Sequence, residues 1–161
     1  MDPIRLCRAD DHAAMVEIIN EAAQKYRGAI PDDCWHEPYM PAEEFAGEIA
    51  AGVVFWGVEA DGRLAGIMGV QDRGEVELIR HAYVLPGDQG RGIGGRLLRH
   101  LCDRSERPVL VGTWAAAQWA IGFYQRHGFA LLDGAETAVL LPRYWTISDR
   151  QAEVSVVLAK R

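Results

Sequence analysis

The sequence lacks the cysteine, charge and histidine patterns that mark several protein classes. Its three cysteines, Cys7, Cys34 and Cys102, are odd in number and widely spaced, so neither a disulfide framework nor a zinc knuckle fits them. Lys and Arg number 17 against 23 Asp and Glu, and the net charge of -6 argues against a nucleic-acid partner. The histidines other than His81 show no metal-ligand spacing, so no metal site is expected.

Long apolar runs are absent as well. Apolar stretches such as residues 115–117 and 119–121 are far too short to span a bilayer. Residues 1–4 lack the basic-then-apolar pattern of a signal peptide. What the chain does have is 161 residues, 49% of them apolar, with no low-complexity run. This composition predicts one cytoplasmic domain over residues 1–161 with no membrane partner.

Hydrophobic periodicity predicts strands and helices in a mixed order. The predicted strands are residues 4–8, 53–60, 63–71, 76–84, 109–111, 129–132 and 154–158. The predicted helices are residues 42–50, 96–104 and 118–127, and an earlier helix that follows a cap at Asp10 or Asp11 and has its apolar positions at Met15, Ile18, Ile19 and Ala22. Asp61 and Gly62, between two of the strands, are a strong hairpin signal. One mixed sheet with helices on its faces follows from this order.

Residues 26–41 lack clear periodicity but hold several aromatic residues and three prolines. The segment is either a packed connector or the wall of a pocket, because loops on rigid scaffolds often carry specificity. Both interpretations stay open at this point. Tyr26, Trp35 and Tyr39 are candidate substrate-binding residues from this segment, and Trp114, at the end of a predicted strand, is another.

Four glycines lie within residues 89–95, between a predicted strand and a predicted helix. Glycine allows a tight turn and lets backbone N–H groups approach a ligand without interference from a Cβ atom. The unpaired N–H groups at the start of a helix, together with the helix dipole, form an anion site. The segment is therefore predicted to bind phosphate.

Two common nucleotide sites do not fit this segment. Gly90, Gly92 and Gly95 match the dinucleotide pattern G-x-G-x-x-G, but that pattern expects an acidic residue at the end of the next strand. Residues 112–117 contain no acidic residue. A Walker A loop closes with Gly-Lys-Ser/Thr, whereas Arg96 follows the glycines here.

Two motifs make the chain resemble the GNAT superfamily of acyl-CoA-dependent N-acetyltransferases. Gln89, Gly92 and Gly94 match the signature Gln/Arg-x-x-Gly-x-Gly/Ala, and residues 83–86 look like the strand end that precedes it in the family. Residues 123–129 match an aromatic-Tyr pair followed by x-x-x-Gly-Phe. One position departs from the pattern, because Ala117 stands where members often carry Asn.

The resemblance implies a single-domain, mixed α+β fold with a mostly antiparallel, splayed sheet of about seven strands flanked by helices. It implies acetyl-CoA as the acyl donor, with the coenzyme A pyrophosphate in the glycine-rich loop and the pantetheine arm along the preceding strand. The cofactor-binding residues it implies are Tyr83, Val84, Gln89, Gly90, Arg91, Gly92, Ile93, Gly94, Gly95 and Tyr124. Homodimerisation is compatible with the family.

Acyl transfer from a thioester needs a neutral amine and a proton for the leaving thiolate. In the family, the tyrosine at the position of Tyr124 supplies that proton. A phenol with a pKa near ~10 can protonate a thiolate whose conjugate acid has a pKa near ~8.5. The alternative is that Tyr124 is only a core residue on an amphipathic helix.

The general base and the acceptor contacts stay open. His81 has a suitable intrinsic pKa, whereas Glu77 lies one residue out of phase with the family's glutamate position at Leu78 and would need a β-bulge. Water is a further alternative as the proton relay. Arg80 is a candidate clamp for a substrate carboxylate. The net negative charge of the chain instead favours a cationic amine as the acceptor.

The sequence therefore predicts an N-acetyltransferase that moves acetyl from acetyl-CoA to a primary amine of a small molecule, by direct attack in a ternary complex. A non-catalytic acyl-CoA-binding regulatory module and acetylation of a protein acceptor are the alternatives. A nicotinamide-dependent oxidoreductase is disfavoured because the ribose-binding acid is missing.

Overall fold

Seven strands form one sheet in the computed structural model, which describes residues 2–161. Numbered along the chain, they are β1 (Ile4–Leu6), β2 (Val53–Ala60), β3 (Arg63–Asp72), β4 (Glu77–Val84), β5 (Val109–Trp114), β6 (Ala130–Leu131) and β7 (Ser155–Lys160). Their order across the sheet is β1-β2-β3-β4-β5-β7-β6. Only β4 and β5 pair in parallel, so the prediction of a mixed, mostly antiparallel sheet is confirmed.

Helices cover both faces of this sheet. They are α1 (His12–Ala22), α2 (Ala42–Ala50), α3 (Ile93–Arg104), α4 (Gln118–Arg126), α5 (Gly134–Tyr144) and α6 (Asp149–Glu153). One face carries α1, α2 and α5, and the other carries α3 and α4. Within residues 2–161, no helix has the length and hydropathy needed to cross a bilayer.

The two faces have separate cores because side chains along each strand alternate between them. In α3, Leu97, Leu98 and Leu101 recur at helical spacing and are buried in the same cluster as Val111 and Ile121. On the opposite face, the buried cluster under α1 and α2 joins Met15, Ile18 and Phe45 to strand residues such as Phe55 and Ile67. This double cover holds the middle strands in place.

The glycine-rich loop ends in a helix that begins earlier than the sequence predicts. Gly92 adopts the left-handed conformation, with φ of 78°, and α3 begins at Ile93 rather than at Arg96. A residue with a Cβ atom is strained at that φ, so glycine is favoured at this point. As a result, Gly94 and Gly95 form the first turn of α3 and their N–H groups belong to the helix start.

A gap opens in the sheet between its two parallel strands. β4 pairs with β5 only from Glu77–Val109 to Ile79–Val111. Beyond that point β4 stays paired with β3 as far as Val84, and β5 stays paired with β7 as far as Trp114. The two strands therefore diverge at their carboxyl ends, which is where ligands bind in sheets with parallel strands.

The core of α3 can be tested by truncating one side chain. Leu97 is 0% exposed, so Leu97→Ala should leave a cavity and lower the free energy of unfolding by about 2–5 kcal/mol. Leu6 is 49% exposed on the edge strand β1, so Leu6→Ala is the control and should change it by less than about 1 kcal/mol. Urea unfolding followed by circular dichroism measures both, and equal losses would contradict this packing.

Candidate active site

The glycine-rich loop, residues 89–95, forms a cradle between β4 and α3. The side-chain Nε2 of Gln89 donates to the carbonyl of Val84 at 3.1 Å, which closes the loop on the strand. The N–H of Arg96 is the first in α3 to find a carbonyl partner, that of Gly92 at 3.0 Å. The N–H groups just before it, at the helix start, are free of such partners in the described chain, as an anion site requires.

Charged side chains around the cradle are arranged unevenly. A cavity lies beside the loop and is called the donor cavity here. Lys25 and Arg126 line it. Asp88 is buried at 4% exposure, and its charge is matched by Arg91 at 3.0 Å and Arg63 at 3.5 Å. Because Arg91 is turned toward Asp88, it does not line the donor cavity. The cations that do face this cavity favour an anionic ligand.

The donor cavity has a volume of about 430 Å³ and runs from the loop into the gap in the sheet. Its walls are the loop, the end of β4 and the side chains of α4. Tyr83, Val84 and every loop residue predicted to bind the cofactor except Arg91 line it, and Tyr124 lies at its inner end.

Tyrosines from both faces of the sheet meet in the gap. Tyr124 rises from α4, while Tyr83 on β4 and Tyr26 after α1 lie with their rings 6.3 Å apart. Burial, with a smaller contribution from Tyr26, raises the pKa of Tyr124 above its usual value. Burial also raises the pKa of Tyr26 to about 12. These phenols therefore keep their protons at neutral pH and are available as hydrogen-bond donors.

A second cavity, of about 140 Å³, lies on the other side of the gap and is called the acceptor cavity here. It shares Tyr26, Ala82, Tyr83 and Tyr124 with the donor cavity. Two segments far apart in sequence enclose it. Residues 26–41 contribute Tyr39, and the segment between β6 and β7 contributes the side chains that include Trp145 and Gln151. The two segments are joined by Arg150, which donates to Asp33 at 2.9 Å.

A β-bulge in β4 brings Arg80 and His81 to one side of the sheet. Tyr83 pairs with Ile67 and Arg80 with Gly69, so β4 has one residue more than β3 between these pairs. His81 takes a positive φ of 53° at the bulge, which is strained for a non-glycine residue and is frequent beside functional sites.

Glu48 of α2 contacts both bulge side chains. Its carboxylate lies 3.0 Å from Arg80 and 3.3 Å from Nε2 of His81. Arg80 also donates to Oε1 of buried Gln71 at 2.8 Å. His81, and then the charge of Arg80, lower the pKa of Glu48 despite its partial burial. Arg80 lines the acceptor cavity, but Glu48 already balances its charge.

Three predicted site residues line neither cavity: Arg91, described above, Glu77 and Trp35. Glu77 is at the opposite end of β4, six residues or about 20 Å along the strand from Tyr83. Its carboxylate accepts from Arg107 at 2.8 Å and from Ser105 at 3.1 Å, so Glu77 as a catalytic base is wrong. Trp35 stacks on Tyr39 with ring centroids 5.5 Å apart and lines neither cavity, so its prediction as a direct pocket wall is wrong too.

The other candidates lie at the gap, and three further residues join them. Tyr26, Tyr39, Arg80, His81 and Trp114 all line the acceptor cavity. Sequence reasoning missed Glu48, Trp145 and Lys25, because each lies in a separate helix or connection with no motif around it. Of these, only Lys25 could have been found from the sequence. It is a basic residue at the end of a helix, directly before the aromatic segment.

The geometry can be compared with known proteins. A family model described as an acetyltransferase (GNAT) domain matches residues 51–131, half of the chain. That stretch contains the bulge, the glycine-rich loop and Tyr124. The chain belongs to this family. The resemblance seen in the sequence, the mixed α+β fold and the assignment to the acyltransferases are thereby confirmed.

Individual relatives agree with the family. The L-amino acid N-acyltransferase MnaT of Escherichia coli (strain K12) is 28% identical over 141 residues, covering 80% of this chain and 79% of that protein. The PaiA N-acetyltransferase from Thermoplasma acidophilum, solved with coenzyme A, has a TM-score of 0.74 at 18% identity, covering 100% and 99% of the two chains. YncA from Salmonella typhimurium, solved with acetyl-CoA, has a TM-score of 0.65 at 20% identity, covering 99% and 92%.

The Glu48 contacts predict how this GNAT chain responds to acid. A carboxyl group whose pKa is lower in the folded state stabilises the fold above its unfolded pKa of about 4.3, and this contribution is lost as the pH falls through the folded value. The free energy of unfolding should therefore fall more steeply between about pH 5 and pH 3 in the unmodified protein than in Glu48→Gln.

Urea unfolding at several pH values measures this difference. Glu44→Gln, at an exposed position of the same helix, is the control and should follow the unmodified protein. Parallel curves for the protein and Glu48→Gln would show that Glu48 makes no ion pair in the folded state.

Proposed function

We propose that this chain is an N-acetyltransferase that transfers acetyl from acetyl-CoA to a primary amine of a small molecule, by direct attack in a ternary complex. The observation that carries the proposal is the meeting of two cavities at one point. The donor cavity begins at an anion cradle, the acceptor cavity begins at the opposite surface, and they share Tyr26, Ala82, Tyr83 and Tyr124. Molecules bound from the two sides would touch only there.

The donor cavity suits coenzyme A in shape and charge. The free N–H groups at the start of α3 would hold the pyrophosphate, with Lys25 and Arg126 close by. The edge of β4 over residues 80–84 has no strand partner on the β5 side, so it can pair with the amide groups of the pantetheine arm. Two of the similar structures were solved with coenzyme A or acetyl-CoA, which supports this assignment.

Acetyl-CoA, when bound, supplies an activated acyl thioester at the gap. Tyr124 lines both cavities where they meet, and its hydroxyl is protonated at neutral pH, as a proton donor must be. The Tyr124 hydroxyl then donates its proton to the departing thiolate as the carbon–sulfur bond breaks and the carbon–nitrogen bond forms. Tyr124 is 7% exposed and packs edge-on against Phe123 and Phe129, which limits the access of competing water to it.

His81 is the proposed acceptor of the amine proton. It lines the acceptor cavity, and its Nε2 atom lies 3.3 Å from a carboxylate oxygen of Glu48. The other ring nitrogen, Nδ1, then remains to take the proton as the amine attacks. Since Glu77 is held far from the gap, His81 is the better of the two bases predicted from the sequence.

The acceptor class is narrowed by the size and lining of its cavity. About 140 Å³ admits a small molecule, and aromatic rings form much of the wall. Glu48 and Gln71 hold the Arg80 side chain in place at the cavity wall. Arg80 can therefore orient the carboxylate of an acceptor, although Glu48 already balances part of its charge. A relative is named an L-amino acid N-acyltransferase, and free amino acids are accordingly the first acceptors to test.

Replacing Tyr124 with phenylalanine tests the proton donor directly. Tyr124→Phe keeps the ring and removes only the hydroxyl, so turnover should fall about 10²- to 10⁴-fold while coenzyme A affinity is retained. Product formation from acetyl-CoA and a panel of amino acids, polyamines and simple amines can be followed by mass spectrometry, with affinity measured by calorimetry.

Tyr144→Phe is the matched control, because Tyr144 and Tyr124 are both 7% exposed and Tyr144 lies in the separate cluster under α5. It should leave turnover unchanged. Full activity in Tyr124→Phe would remove Tyr124 from the mechanism. If the unmodified protein binds acetyl-CoA but acylates no small amine, the regulatory-module and protein-acceptor alternatives replace the proposal.

The anion cradle is tested by a single methyl group. Gly92 has a φ of 78° and open space around it, so Gly92→Ala adds strain without a clash. That strain is about 1–2 kcal/mol, and a loop displaced by it must be restored on binding, so coenzyme A affinity should fall about tenfold.

Gly134→Ala is the control for this experiment, since Gly134 starts α5 in open space without a positive φ. It should leave coenzyme A affinity as it is. Unchanged affinity in Gly92→Ala as well would place the phosphate site elsewhere.

A further inference from the structure

Trp145 lies directly over a glycine in the diverging part of β5. A methyl group placed on Gly112 would be 3.3 Å from Cε2 of the Trp145 indole and 3.4 Å from its Nε1 and Cζ2 atoms. The 3.3 Å separation is slightly tighter than an ordinary contact and the 3.4 Å separations are at its limit, so a methyl group at position 112 would displace the indole by a few tenths of an ångström. The close approach depends on glycine at this position.

Gly112 is the first residue of β5 after the last pair with β4, Ile79–Val111. It follows Leu110 by two positions, and Leu110 is buried in the cluster under α5, so Gly112 presents the same face. The indole of Trp145 therefore lies at the point where the gap begins to open. It lines the acceptor cavity there together with Thr113 and Arg80.

The backbone around Trp145 holds the indole in place. The N–H of Trp145 donates to the carbonyl of Leu141 at 2.9 Å, which continues the last turn of α5. Leu141 and Tyr144 are buried at 3% and 7% exposure and fix this end of α5 on the sheet. The position of the Trp145 backbone relative to the sheet is therefore set by the end of α5.

We propose that Trp145 sets the upper size of the acceptor side chain, and that Gly112 is the positioning residue that lets the indole reach the cavity. This inference rests on the proposed function, because it concerns the acceptor of that reaction. The indole lines a cavity of only about 140 Å³, so acceptors with small side chains fit and large apolar ones meet the ring. One methylene in an apolar pocket is worth roughly 10- to 200-fold in selectivity.

The test is the ratio of kcat/KM for a large acceptor to that for a small one. Two series avoid an assumption about the head group: the amino acids glycine, alanine, leucine and phenylalanine, and the amines methylamine, isobutylamine and phenethylamine. Trp145→Ala should raise the large-to-small ratio at least tenfold. Gly112→Ala should lower it, because the added methyl pushes the indole into the cavity.

The double variant separates selectivity from general damage. In the Trp145→Ala background, Gly112→Ala should have no effect on the ratio, because no indole remains for the methyl group to meet. Val139→Ala, at a position 63% exposed on α5, is the control and should leave the ratio unchanged. If Trp145→Ala unfolds, Trp145→Phe should shift the ratio in the same direction by a smaller factor.

A purely structural Trp145 would give a different result. Its truncation would lower the melting temperature and leave the ratio as it was, and Gly112→Ala would act equally with or without the indole. Either finding overturns this inference while acyl transfer itself stands.

Failure of the proposed function looks different, since no variant would then form an acylated product with any amine. Calorimetric titration of the same amines into protein saturated with coenzyme A then decides the role of Trp145. Tighter binding of the large amines to Trp145→Ala supports the size limit, and no binding of any amine overturns it.

Discussion

The rest of the site depends on one constraint, which is that the parallel pair β4–β5 ends at Ile79–Val111. Up to that point the two strands satisfy each other's backbone groups, and beyond it they turn to opposite neighbours, β3 and β7. Unpaired strand edges inside a domain need partners, and a gap at the carboxyl ends of the strands admits a ligand that can supply them. One cavity leads to this gap from each face of the sheet, so the gap is reached from two sides.

Each face of the sheet contributes a different part of the chemistry at the gap. From the α3 and α4 face come the anion cradle and the protonated hydroxyl of Tyr124. From the opposite face come His81 with its partner Glu48, and the wall formed by Trp145. The bulge at His81 brings the groups of the two faces close together. It turns the adjacent side chains of Arg80 and His81 to one side of β4 just before the strand reaches the donor cavity.

Much of this arrangement could be predicted from local sequence. β2 and α2 match their predicted bounds because the pattern of apolar residues is regular along each of them. The glycine-rich loop and Tyr124 could be found because they lie in local motifs, each within or next to one strand-to-helix connection. Glu48 and Trp145 could not be predicted, since their contacts join segments separated by long stretches of chain. Glu77 lies outside the gap because β4 and β5 are still paired at its level, Glu77–Val109, and diverge only after Ile79–Val111.

The central claim is that donor and acceptor bind together and react directly at the Tyr124 gap. Initial-rate kinetics with both acetyl-CoA and the best acceptor varied would test it most directly. The account predicts intersecting double-reciprocal lines, because both cavities must be filled before the acyl group moves. Parallel lines, together with an acylated form of the protein, would contradict it, since they would show that the acyl group first passes to a side chain of the enzyme.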